Sequence, residues 1–266
     1  MRSADPAYYL YCLVPSGRDI QASATGVDGR HATQLRVYEE SCAAYCEVDL
    51  DEFVGERAEA QLQDLNWLGP RVRRHEAVIE QIMHQAPVLP ARFATLFSSL
   101  ESLDQFVLEH REGIAGFFAE LGGQQEWAVK GLLDRAGALE RLSAPAEEGP
   151  AGSLGGRYLQ ERRIKAQAER EFNQRLRTFC QHVAAVLGAH AGGFRERKVV
   201  APAAEETAAE VVLNWAFLIP PEDLEDFRAS LQRFNDDEAF PGLLLALSGP
   251  WPPYSFVPDL SSGAQA

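Results

Sequence analysis

The sequence predicts an α+β fold of two domains, each a small antiparallel sheet flanked by helices. Three observations point there. The 266 residues carry 46% hydrophobic and 24% charged side chains, an ordinary globular composition at a length that suits two domains. Short runs with period-two alternation are separated by longer runs with helical spacing. From residue 125 the order of these runs is strand, helix, strand, strand, helix, strand, the ferredoxin-like pattern. The expected domains are 1–98, and 99–266 with an extended C-terminal tail.

The first run, "YYLYCLVP" at 8–15, is rich in aromatic and branched residues and stops at Pro-Ser-Gly, which reads as a strand. A glycine-rich loop follows. "QLRVYEESCAAYCEVDL" then alternates on either side of a turn near 39–41, giving two more strands. Asp51 is expected to cap a short helix reaching Leu62, and Pro70 to open a second one. In that second helix Val72, His75, Ile79 and Met83 form one apolar stripe. "APVLPARFATLF" is an extended run interrupted by Pro87 and Pro90, suited to a sheet edge.

A single helix is expected over 99–121, with Leu103, Phe106, Val107, Ile114, Phe117 and Phe118 on one side and Gly122-Gly123 ending it. "QEWAVKGLL" reads as a strand and "SAPAEEGPAG" as a loop. One long helix then runs from about 154 to 190, roughly 50 Å at 1.5 Å per residue. "FRERKVV" and "EVVLNWAFLI" are strands around an acidic loop, "PPEDLEDFRASLQRF" is a helix opened by prolines and carboxylates, and "FPGLLLALSG" is the last strand.

A net charge of −14 argues against a nucleic-acid binder, which needs a basic face to displace counterions. No apolar run of about 18 residues exists to span a membrane. The N-terminal run lacks the basic flank and cleavage site of a signal peptide. Cys12, Cys42, Cys46 and Cys180 match no zinc spacing, and in a reducing cytosol they are expected as buried free thiols. Cys42 and Cys46 lie about 13 Å apart along one strand, too far to bridge. None of the nucleotide-binding or nucleophile motifs occurs, and the histidines show no metal spacing. His75, on an apolar stripe, reads as a hydrogen-bonded core histidine. The acidic run "NDDEAF" lacks the spaced oxygens of a calcium loop and reads as a solvated helix end. No catalytic, cofactor-binding or metal residue is assigned, and the chain is read as a non-enzyme.

Two segments suggest binding. The long helix carries Tyr158, Ile164, Phe172, Leu176, Phe179, Val183 and Val186 at core spacing. Its first half adds Arg157, Arg162, Arg163, Lys165, Arg170, Arg175 and Arg177. Paired with Glu161, Glu169 and Glu171, these form either a solvated face or a docking surface for an acidic or amphipathic partner. The tail "GPWPPYSF" packs Trp251, Tyr254 and Phe256 among three prolines that oppose further ladder pairing. It reads chiefly as a strap fastened over the protein's own domains. A partner-facing aromatic patch and a P-x-x-P ligand are the alternatives.

"PWPPYSF" after an apolar strand, "HEAVIEQIMHQAPVLPARFATLF", "EWAVKGLL", "GRYLQERR" and "VVLNWAFLIP", in this order, resemble the gas vesicle protein F / protein L family (GvpL/GvpF) over nearly the whole chain. Glycine is frequent in that family where this chain has Ala94 and Ala128, which implies no positive-φ requirement at either position. The resemblance implies a non-enzymatic accessory or minor structural protein of gas vesicles, found in the cytoplasm and at the vesicle. It implies binding to the major shell protein and to other accessory proteins during assembly. A groove between the domains near Arg92, Phe93 and the tail is the expected contact. The competing class is a ferredoxin-like protein holding a haem or flavin, since fold alone does not set function.

Overall fold

The structure, a computed structural model, describes residues 6–142, 154–199, 209–236 and 240–260. The loop read at 143–152, nearly all of the acidic loop at 201–209 and the centre of the acidic run 235–240 lie outside the described residues, as do the side chains of Arg157, Tyr158 and Glu161. The chain forms two compact units, Met1–Gly123 with Trp251–Ala266, and Gln124–Pro250. The division expected after residue 98 therefore falls within the first unit. Helices just beyond it pack back there, and the tail returns to it.

In the first unit β1 (Pro6–Pro15), β2 (Gln34–Val37), β3 (Ser41–Asp49), β4 (Leu89–Pro90) and β5 (Leu96–Phe97) form an antiparallel sheet. Its order is β2-β3-β1-β4, and β5 also pairs with β1. The β2–β3 turn closes with Tyr38 N–H donating to the Ser41 carbonyl at 2.8 Å. The β1–β3 register slips between Leu10 and Cys12, leaving Tyr11 as an extra residue. Such a bulge interrupts the strict alternation of a strand. Here it lets Tyr9, Tyr11, Cys12 and Val14 all enter one core, while Leu10 and Leu13 serve the other face.

Asp51 lies within the 3₁₀ turn Leu50–Glu52 and caps nothing; α1 (Glu56–Gln63) starts after Gly55 at φ +96°. The next helix, α2 (Leu65–Met83), starts before Pro70 because the Asp64 side chain accepts from Asn66 N–H at 2.9 Å. Pro70 sits inside, where it forfeits one backbone bond near the helix start. The buried face of α2 is His75, Val78, Ile79 and Ile82. Val72 and Met83, expected there, are half-buried.

The helix expected over 99–121 is two, α3 (Leu100–Glu109) and α4 (Arg111–Leu121). They part at His110, whose backbone N–H and ring Nδ1 both bond the Phe106 carbonyl. Ser99 and Ser102 make a reciprocal cap on α3, and Gly122 closes α4 in the left-handed region at φ +53°. Phe106 packs on Phe97 with centroids 5.3 Å apart, and Arg36 grips Asp104 through two nitrogens at 2.5 Å. These contacts tie α3 to the first sheet.

The second unit holds β6 (Gln125–Leu133), α5 (Arg135–Leu142), α6 (Leu154–Gly188), β7 (Gly193–Glu196), β8 (Glu210–Ile219), α7 (Leu224–Asp236) and β9 (Leu243–Trp251). The short α5 was not expected. The sheet runs β7-β8-β6-β9, with β8 antiparallel to both β6 and β7. Val183 and Leu187 of α6 and Phe227 and Leu231 of α7 cover one face, against Trp127, Val129, Trp215, Phe217 and Leu245. β9 continues past Gly249 through Pro250 to Trp251. It is the terminal strand of the order, where a residue without an N–H is tolerated.

Candidate functional site

The first unit gathers its chemistry where the tail meets β1, α2 and the β4–β5 turn. Tyr9 and His75 are buried at 0% and 1% exposure, and a buried imidazole must place both ring nitrogens. His75 Nδ1 lies 3.0 Å from Tyr9 Oη, and Nε2 lies 3.1 Å from Tyr254 Oη. Tyr254 Oη donates to Glu76 Oε1 at 3.1 Å, so it accepts from His75 Nε2–H. His75 Nδ1 then accepts from Tyr9, whose oxygen accepts Ala94 N–H at 3.0 Å. Every member of the chain from Ala94 to Glu76 is paired in one direction, which fixes the neutral Nε2–H tautomer. Burial pushes the His75 pKa down to about 4 and raises that of Glu76. It also raises the Tyr9 and Tyr254 phenols.

The β4–β5 turn is folded against β1 by Ala91 N–H to the Tyr11 carbonyl and Leu10 N–H to the Thr95 carbonyl. Donation from Ala94 to Tyr9 is achieved with Ala94 at φ +64°. This overturns the inference from alanine that the position has no positive-φ requirement. Holding the tyrosine imposes the left-handed backbone, and alanine bears the strain. Ala128, in β6, is not among the residues with positive φ.

On the opposite face of β1, Leu10, Leu13, Leu89 and Phe106 line a cavity of 210 Å³ with Val257 to Leu260 of the tail. Arg92 is exposed and stands at its rim. Phe93 instead packs inward, in ring contact with Tyr9, His75 and Phe53 at 5.7 to 6.5 Å. Within the tail, Pro252 and Pro253 are buried, Tyr254 and Phe256 are half-buried, and Trp251 is 43% exposed. The strap exists, but it belongs to the first unit, and Tyr254 with the prolines anchors it rather than Trp251.

Arg162 and Arg163 belong to the second unit, where they are exposed on α6. Ile164, expected in the core, is 52% exposed; among the described side chains of α6 the buried ones are Phe172, Leu176, Val183 and Leu187. Tyr9, Glu76 and the cavity residues Leu10, Leu13, Val257 and Leu260 were not singled out from sequence. For Tyr9 and Glu76 the visible signal was a histidine on an apolar stripe, because it demanded partners. The four cysteines are free. Among the described residues no cluster of three or more His, Cys, Asp or Glu is placed to hold a metal, and no helix is long and apolar enough to cross a membrane.

Comparison with known proteins places this architecture. The sequence model of the gas vesicle synthesis protein GvpL/GvpF family matches residues 7–258. Gas vesicle protein L of Streptomyces sp. (strain CB03234) is 27% identical over 260 residues, covering 96% of this chain and 94% of that protein. Gas vesicle protein L1 of Halobacterium salinarum is 22% identical over 274 residues, covering 97% and 93%. The crystal structure of the gas vesicle protein GvpF from Anabaena sp. PCC7120 superposes with a TM-score of 0.71 at 20% identity, covering 95% of this chain and 96% of that one. That of GvpF from Microcystis aeruginosa gives 0.64 at 20% identity, covering 95% and 99%. At such identity the two structures speak to the fold alone.

Proposed function

The chain belongs to the gas vesicle synthesis protein GvpL/GvpF family, and from that premise we propose that it is a non-enzymatic accessory or minor structural protein of vesicle assembly. It acts in the cytoplasm and at the vesicle, binding the major shell protein and other accessory proteins. A subunit destined for a gas-facing wall exposes apolar surface, which aggregates unless it is shielded. The observation that carries the reading is the tail-lined cavity of the first unit. It is apolar, bordered by the exposed Arg92, and 210 Å³ in volume. That is below the roughly 300–1,000 Å³ of ordinary small-molecule sites and suits an inserted apolar side chain better than a haem or flavin. A ferredoxin-like second unit is part of the same reading, supported by the strand order β7-β8-β6-β9.

Co-expression with the major shell protein and pull-down through a tag on this chain tests the role. Arg92→Glu and Leu260→Asp alter the cavity without touching the Tyr9–His75–Tyr254 chain. Both should keep the melting temperature and lose most of the captured shell protein. Capture at the wild-type level by both variants would remove the cavity from the account. Phe93→Asp is unsuitable, because it places a carboxylate among the packed rings of Tyr9, Phe53 and His75.

A further inference from the structure

Along α6 an arginine recurs every seven residues, at Arg163, Arg170 and Arg177, and all three are exposed. Seven residues fall only about 20° short of two full turns, so the three stand in one row roughly 21 Å long. Arg170 is two positions from Phe172, about 160° around the helix. The row therefore points away from the core that Phe172, Leu176 and Val183 enter.

On a helix surface a cation is commonly met by a carboxylate three or four positions away. Lys165 has Glu169, and Arg175 has Glu171, at that spacing. Around the three arginines every position at that distance holds Leu, Gln, Ala, Asn or Cys. Nor does any hydrogen bond or ion pair reach them from elsewhere among the described residues. From 162 to 177 the chain carries six basic and two acidic residues, a local charge of +4 in a protein of net charge −14. A face that only had to be solvated would gain from carboxylates at those positions, and this one has none.

We propose that the row Arg163–Arg170–Arg177 is a docking surface for an acidic helix of another protein, laid along α6 with carboxylates at seven-residue spacing. Such a helix repeats its side chains at the same interval of roughly 10.5 Å, so three carboxylates meet three guanidinium groups in register. Each guanidinium can donate two parallel N–H bonds to its carboxylate. None of this chain's own α-helices carries two carboxylates seven residues apart, so a second copy offers no helix with the matching row. The net charge of −14 opposes a nucleic acid, whose own charge runs on far beyond 21 Å. Exposed ion pairs contribute little each and are screened by salt, so the row steers a partner into place more than it holds it. The inference does not depend on the cavity of the first unit.

The probe is a synthetic helical peptide of about 21 residues, with three glutamates seven apart on an alanine and glutamine background. A control peptide of the same composition has its glutamates on three different faces. Titrated into the full chain at low salt and followed by NMR, the row peptide should shift the amides of residues 163–177. It should bind about tenfold or more tightly than the control, and added salt should weaken it. The triple variant Arg163→Gln, Arg170→Gln, Arg177→Gln should keep the melting temperature and lose this binding; Arg170→Glu alone serves should the triple variant fail to fold. Equal binding of the two peptides, or wild-type binding by the folded variants, would overturn the proposal. So would a short DNA duplex that shifts the same amides more strongly than the row peptide. Self-association of the chain that sedimentation shows to be lost in the triple variant would make the occupant a second copy, and would likewise overturn it.

Discussion

Tyr254 in the tail and His75 in α2 are 179 positions apart, and their Oη and Nε2 atoms meet at 3.1 Å. The bond gives the imidazole its second partner and gives the tail a fixed point. Removing the hydroxyl in Tyr254→Phe leaves a buried N–H unpaired, which costs about 1–3 kcal/mol. Urea denaturation should show a lower midpoint with an unchanged slope; an unchanged midpoint would mean that the bond contributes nothing.

The same chain makes stability depend on pH. His75 titrates at about 4 when folded against an ordinary value of 6.5. Between those values the unfolded chain binds a proton that the folded chain refuses. Stability is therefore fully present above 6.5 and is lost as pH falls through that window, by about 3 kcal/mol at most. Glu76 has a raised folded pKa and acts with the opposite sign, favouring the fold at low pH and losing that contribution as pH rises. His75→Gln should flatten the net dependence between pH 6.5 and 4. An equally steep profile in the variant would assign the slope to other groups.

Ala94, at φ +64°, bears a strain of roughly 1–2 kcal/mol that glycine would not, partly offset by glycine's greater freedom when unfolded. Ala94→Gly should raise the melting temperature slightly, and Ala94→Val should lower it. Ala128→Gly, within the interior of β6, should be destabilising. A stabilising Ala128→Gly would contradict the distinction drawn between the two positions.

With Trp251 43% exposed, Trp251→Ala should destabilise less than Tyr254→Ala. The reverse order in thermal melts would make the tryptophan the main anchor of the tail.

Much of the fold was legible because local patterning encodes it. Alternating or continuous runs of apolar, aromatic and branched residues marked β1, β3, β6 and β8, and Gly122 marked the end of α4. Breaks set by single side-chain bonds were not legible. Asp64 rather than Pro70 starts α2, and the bond from the His110 ring divides the helix expected over 99–121. The candidate site was visible only as fragments. His75 and Tyr254 stood out singly, but their meeting depends on the return of a tail that begins after residue 250, and Arg92 stands at the cavity on the other face of β1. No spacing rule reports such a contact. The strain at Ala94 was misread for the same reason, since Tyr9, 85 positions away, imposes it.

The central claim is that this chain takes part in building gas vesicles. Deleting its gene in a vesicle-forming cell and counting vesicles by electron microscopy tests that most directly. The account predicts cells with few or no vesicles, restored by the wild-type gene. Vesicles of normal number and shape in the deletion strain would contradict it.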